Sequence, residues 1–266
     1  MPLTTASGHP RPYCALCVRD VAEVIGQLAR ALPASPLFCV GWSMGGNLLI
    51  QHLGEAGDEC KLRGAIAVSP AVDLKAIHQN WNGSAVGKVY GRIIGLGMLR
   101  NILHHRRALI GAPMAGRAGR PFTTWDALYA ALWGTFEGNV YAPLWGLTGG
   151  AEAYFEACSC VRAFDGVRRK LLVVHAEDDP IVPLHSMPLS RMAANPHVVC
   201  ALTRHGGHLG YTAGGSPLQH TWTDRILLHF LRHMLTGDEP RPPPAVAMRS
   251  ALECCQGPGS NTHAER

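Results

Sequence analysis

Ser43 stands in Gly41-Trp42-Ser43-Met44-Gly45, between an apolar stretch and a helix-like one. A serine hydroxyl attacks a carbonyl carbon only when a base removes its proton. Presenting such a serine takes a sharp turn from strand to helix, and glycines two before and two after would remove crowding Cβ atoms from that turn. A helix starting at once would aim its N-terminus at the same point and favour negative charge there. It would also offer the Met44 N–H as an oxyanion donor. The alternative for the same residues is a serine in a tight structural turn. The base is expected in His205-Gly206-Gly207-His208-Leu209-Gly210-Tyr211, with His208 preferred and His205, nearer the preceding strand, as its rival. The acid that orients the base is expected in Glu177-Asp178-Asp179-Pro180, where three adjacent carboxylates repel one another and are unusual for a plain turn. Asp179 is read as that acid, Asp178 as a loop cap, and Asp73 as the alternative acid. Ser43, His208 and Asp179 would then form an acyl-transfer triad, in which Asp179 holds one ring nitrogen of His208 and steadies the imidazolium.

These residues need a scaffold, and the hydrophobic pattern supplies one. Short continuous apolar runs at Leu37–Gly41, Gly64–Val68, Leu171–His175 and His197–Leu202 predict strands buried on both faces. Helices are predicted over Val18–Leu32, where Val21, Val24, Ile25, Leu28 and Leu32 would face inward until Pro33 stops the run, and over Met44–Gly54. A last helix is predicted over Leu218–Leu235, with Trp222, Ile226, Leu227, Phe230 and Leu231 facing in. Buried strands alternating with helices predict an α/β fold with a parallel sheet. Ser43, Asp179 and His208 each follow a strand. A long insertion, residues 74–167, separates the second strand from the third, and a lid over the site is its expected role. Residues 1–11 and 237–266 are expected to be disordered flanks of a domain spanning 12–236. Cys254 and Cys255 in the second flank are candidate acylation sites.

Composition bounds the function. The chain has 266 residues, 47% of them hydrophobic and 16% charged, enough for a sizeable core. A net charge of +5 without a dense basic run argues against nucleic-acid binding. No apolar run reaches the ~18 residues of a membrane span, and the N-terminus lacks a secretory pattern. Among nine cysteines, Cys14-x-x-Cys17 has no second pair at zinc-site spacing, so no metal is expected, and reduced thiols fit a reducing compartment best.

The stretches PLFCVGWSMGGNLLIQHLGE, AVSPAVDL, YFEACSC, HAEDDPIVP, GGHLGY and TWTDRILLHFL resemble the α/β-hydrolase superfamily, and within it the YheT-like branch that includes the ABHD lipase-type proteins. The resemblance runs from about Tyr13 to Leu235. It places the family's triad on Ser43, Asp179 and His208. It implies hydrolysis of carboxylic esters, acylglycerols or phospholipids in some members, and neither a metal nor an organic cofactor.

The sequence also departs from that family. Only about forty residues precede Ser43, where the complete fold has four strands and a helix first. The expectation is therefore a partial α/β-hydrolase fold: the fifth to eighth strands, flanking helices and a helical lid, from the C-terminal part of a longer protein. The loop giving a second oxyanion donor, worth about 3 kcal/mol, would be absent. The first strand would be an open edge. An N-terminal anchor, if the full protein has one, would make it membrane-associated.

The leading expectation is a serine hydrolase of lipid or short-chain acyl esters. The rivals are a catalytically silent binding protein and a thioesterase, amidase or acyltransferase on the same fold. Arg92, Arg100, Arg106, Arg107, Arg117 and Arg120, interleaved with apolar residues in the insertion, suggest a lid that meets an anionic membrane surface. An ordinary solvated lid is the other reading.

Overall fold

The computed structural model describes residues 11–116, 120–133, 135–212 and 221–237. The expectations for residues 1–10, Arg117, Leu218–His220 and the tail with Cys254 and Cys255 fall outside them. Among the described residues the strands are β1 (Phe38–Trp42), β2 (Gly64–Val68), β3 (Lys170–Ala176) and β4 (Val198–Thr203). They form one parallel sheet in the order β1-β2-β3-β4, with Phe38 beside Gly64, Gly64 beside Lys170 and Leu171 beside Val198. Among the described residues β1 pairs with a strand on one side only and is half-buried, the apolar edge expected from the sequence.

Parallel strands need crossovers that cover both faces, and the strand residues divide accordingly. Ala65, Ala67, Leu171 and Val173 pack with Leu49, Ile50 and Leu53 of helix α2 (Met44–Ala56). Ile66, Val68, Leu172, Val174 and Ala176 form a second cluster on the other face. That cluster is covered by Trp222, Ile226, Leu227 and Phe230 of the last helix (Trp222–Thr236); Leu231 is half-buried outside it. Burying each of the large side chains of α2 contributes roughly 1.5–3 kcal/mol, so α2 is held firmly under the sheet. The last helix begins at Trp222 because Thr221 and Asp224 form a reciprocal capping box.

Helix α1 (Val18–Ala31) differs from its predicted burial. Ile25 is buried and Val21 half-buried, but Val24, Leu28 and Leu32 are exposed. α1 touches α2 along one narrow edge, so the remainder of its apolar stripe has no partner among the described residues.

Between β2 and β3 the chain makes a helical excursion. It holds α3 (Leu74–Gly83), α4 (Ala85–His104), α5 (Arg106–Leu109), α6 (Thr124–Trp133), a π-helical turn over Glu137–Tyr141, α7 (Ala142–Leu144) and α8 (Gly150–Cys158). Its two ends meet: Cys160 N–H donates to the Val72 carbonyl (3.0 Å) and Leu74 N–H to Ser159 Oγ (3.1 Å). From Val161 the chain is back against α2. Helix α9 (Leu189–Ala194) then links β3 to β4, and Trp222–Thr236 is α10. No described helix is long and apolar enough to cross a membrane.

Candidate active site

All four strands point their C-terminal ends at one edge, where open parallel sheets bind their ligands. Ser43 follows β1 with φ 50° and ψ −116°, a conformation that costs a non-glycine residue about 1–3 kcal/mol. Three backbone hydrogen bonds hold it there. Ser43 N–H donates to the Val68 carbonyl (2.9 Å), and the Ser43 carbonyl accepts from Asn47 (3.1 Å) and Ala71 (3.2 Å). The side chain therefore stands above the sheet while its backbone is tied to β2 and α2.

The two flanking glycines do different work. A Cβ on Gly41 would lie 2.4 Å from the Gly45 carbonyl oxygen, so no other residue fits. A Cβ on Gly45 would meet nothing within 4 Å, against the expectation that both glycines relieve crowding. The crowded position is Gly46, whose added Cβ would lie 2.9 Å from Pro70 Cβ.

His208 joins the chain's distant parts. Its Nε2 lies 2.8 Å from Ser43 Oγ and its Nδ1 2.8 Å from Asp179 Oδ2. A carboxylate oxygen accepts, so Nδ1 carries the proton and Nε2 is left to take the serine's. Asp179 is buried, and its other oxygen accepts from Ile181 N–H (2.8 Å) and Val182 N–H (2.9 Å). Pro180 forces the turn that brings those two amides back onto the carboxylate. The Met44 N–H is in the first turn of α2 next to Ser43, where backbone donors have no intrahelical acceptor.

The rivals sit elsewhere. His205 is exposed, with Nδ1 3.3 Å from Asp178 Oδ2. Asp178 Oδ1 accepts from Gly206 N–H (3.0 Å) and Gly207 N–H (2.8 Å), closing the loop that carries His208. Partial burial opposes its charge, but the Gly207 amide, His205 and the Gly206 amide together hold the Asp178 carboxyl below its ordinary range. Asp73 caps α3 by accepting from Ala76 N–H (3.0 Å).

Other residues hold the site in place and were not legible in the sequence. Tyr211 OH lies 2.9 Å from Ser69 Oγ, and both residues have positive φ (40° and 44°). Burial pushes the tyrosine up to about 12. Asn47 donates to the carbonyls of Ala71 (2.7 Å) and Cys158 (2.9 Å), and Gln51 donates to Asn47 Oδ1 and to the Ala15 carbonyl. The helix behind the nucleophile is thereby tied to the base of the excursion. Trp81 of α3 donates to the Ile181 carbonyl (2.9 Å), on the loop that holds Asp179. His175 in β3 is fully buried beside Asp179 and His208, with neither ring nitrogen in a well-formed hydrogen bond. Among the described residues, no group of three or more His, Cys, Asp or Glu is placed to hold a metal ion.

A family model described as serine aminopeptidase, S33 matches residues 8–107. The embryogenesis-associated protein EMB8 of Picea glauca is 28% identical over 232 residues, 86% of this chain and 48% of that protein. The monoacylglycerol lipase ABHD2 of Danio rerio is 28% identical over 243 residues, 88% and 55% of the two chains. The phospholipase ABHD3 of Mus musculus is 26% identical over 231 residues, 85% and 53%. The chain is similar to members of the α/β-hydrolase superfamily. It spans about half the length of the curated relatives it matches. The order Ser43, Asp179, His208, each after a parallel strand, is the one this superfamily uses.

Proposed function

We propose that this α/β-hydrolase chain, of the YheT-like branch, cleaves carboxylic esters through Ser43, His208 and Asp179. The observation that carries the reading is the unbroken hydrogen-bonded line from Ser43 Oγ through His208 to Asp179, 2.8 Å at each step. In this reading Ser43 Oγ attacks the ester carbonyl carbon while His208 Nε2 takes the hydroxyl proton. Asp179 holds Nδ1–H and steadies the imidazolium. The carbonyl oxygen becomes an oxyanion and accepts from the Met44 N–H. Collapse expels the alcohol, protonated by His208, and leaves an acyl group on Ser43. Water activated by the same imidazole then releases the acid.

The names of the relatives, monoacylglycerol lipase and phospholipase, support acylglycerol or phospholipid esters as the substrate class. The test has two readouts. A fluorophosphonate should label Ser43, identified by mass spectrometry of the modified peptide, and p-nitrophenyl acyl esters should be hydrolysed. Ser43→Ala should lose both. A folded chain that takes no label would favour the silent binding-protein reading. Faster transfer to an alcohol or an amine than to water would favour an acyltransferase.

A further inference from the structure

Helix α4 is apolar on two opposite sides. Its inward side is made largely of small residues: Gly87 and Gly95 are buried, Gly91 faces Trp81, and Gly95 faces the Phe136 ring. Farther along, Ile102 is buried and Met98 and Leu99 pack against the core, but four other aliphatic side chains point the opposite way. Val86, Val89, Ile93 and Leu96 recur at three- and four-residue spacing and are all exposed, Leu96 by 62%. Trp125 and Tyr129, one turn apart on neighbouring α6, are also exposed, Trp125 by 78%. Together with Leu99 and Leu128 they line a groove between the two helices. A surface helix of a water-facing protein carries its apolar stripe toward the core. This one carries a second stripe on the opposite side.

The charge around the stripe says what would cover it. From Leu74 to Trp125 the sequence has eight Lys and Arg and not one Asp or Glu, whereas the whole chain has 24 basic and 19 acidic residues. All of the chain's positive excess therefore resides in this segment, and the remainder is net negative. Lys75 is paired with Glu152 and Arg120 with Asp126. Lys88, Arg92 and Arg100 on α4 are exposed, and no described carboxylate lies within ion-pair distance of them.

We propose that the outer face of α4 and α6 docks on an anionic lipid bilayer. The aliphatic stripe and Trp125 would enter the headgroup–acyl boundary while Lys88, Arg92 and Arg100 meet the lipid phosphates and carboxylates. A nucleic acid would satisfy the cations but leave the four aliphatic side chains in water. A second copy of this chain would oppose the same cations to themselves. Docking is independent of the catalytic reading, because it uses no residue of the triad.

The test is flotation of the full chain carrying Ser43→Ala with lipid vesicles. Phosphatidylserine-containing vesicles should carry the chain up the gradient and pure phosphatidylcholine vesicles should not. Binding should weaken as salt rises from about 0.1 M to about 1 M, over which the screening length falls from about 10 Å to about 3 Å. Replacing Lys88, Arg92 and Arg100 by Gln should weaken it roughly a hundredfold, about fivefold per charge. Ile93→Ser with Leu96→Ser should abolish it. In chains that keep Ser43, neither set should change hydrolysis of a water-soluble ester, so vesicle docking and ester cleavage can fail separately. Equal flotation of the variants and the parent would overturn the proposal. So would tight binding of a labelled oligonucleotide without vesicle binding. A dimer in sedimentation velocity that Ile93→Ser with Leu96→Ser dissociates, again without vesicle binding, would assign the face to a second copy instead.

Discussion

His175 should make the fold sensitive to acid. Burial disfavours its charged form, Asp179 pulls the other way, His208 adds to the penalty, and the Val182 backbone partly offsets it. The net effect lowers the imidazole from an ordinary 6.5 to about 4. The unfolded chain therefore takes up this proton first. Between pH 6.5 and about 4 the unfolded state holds more protons than the folded one, so stability falls as pH falls through that window. Each pH unit removes about 1.4 kcal/mol, and the full window about 3 kcal/mol. Below about pH 4 both states are protonated and the loss from this group ends. That sum is a large part of the roughly 5–15 kcal/mol that holds a domain together. The assay is urea unfolding of the parent and of His175→Leu across pH 7 to 4.5. Leu does not titrate, so any packing change shifts its curve by a constant, and the difference between the curves isolates the histidine. The parent should lose about 2 kcal/mol more than the variant by pH 5. A difference that stays flat over this range, or rises toward acid, would refute a neutral, buried His175.

Four further results are expected. Asp179→Asn should leave the fold intact but cut esterase turnover by about 10⁴, since the wrong imidazole tautomer would face Ser43; His205→Ala should change turnover less than about threefold, and a large loss there would mean the wrong base has been assigned. Gly41→Ala should destroy the nucleophile turn, because its Cβ would sit 2.4 Å from a backbone oxygen, whereas Gly45→Ala should fold and gain up to about 1 kcal/mol of helix stability; thermal melts with fluorophosphonate labelling distinguish the two outcomes.

The sheet was legible in the sequence because β2 and β3 are covered on both faces, which leaves almost continuous apolar runs with turn residues at their ends. The site was legible because its residues follow those runs directly. The excursion was read less well, and α4 shows why. Its apolar residues point both inward and outward, so they leave no single periodic stripe. The stripe of α1 was clear, but a stripe does not say how much of it meets a partner, and Val24 and Leu28 are in solvent. Local spacing also could not show pairings that span the chain. Tyr211 reaches Ser69, Trp81 reaches Ile181, and Asn47 reaches Cys158 only once the sheet has assembled. Asp179 is preferred to Asp178 because it stands just before Pro180, and the structure shows the amides that follow that proline bonded to its carboxylate.

The closed base of the excursion has an evolutionary consequence. Because Val72 meets Cys160 and Leu74 meets Ser159, the sheet experiences the whole run between them as one tight turn. Closing a loop costs more with length only logarithmically, about 0.6 kcal/mol per doubling. Helices inside the run can therefore be lengthened, shortened or exchanged with little effect on the strands, provided the two clasps survive together with the Trp81 bond to Ile181 and the Cys158 carbonyl that Asn47 holds. Selection can act on it as on a cartridge, trading one recognition surface for another while Ser43, Asp179 and His208 keep their places. A transplant from a relative should be cut at 73 and 159, where the frame is already fastened.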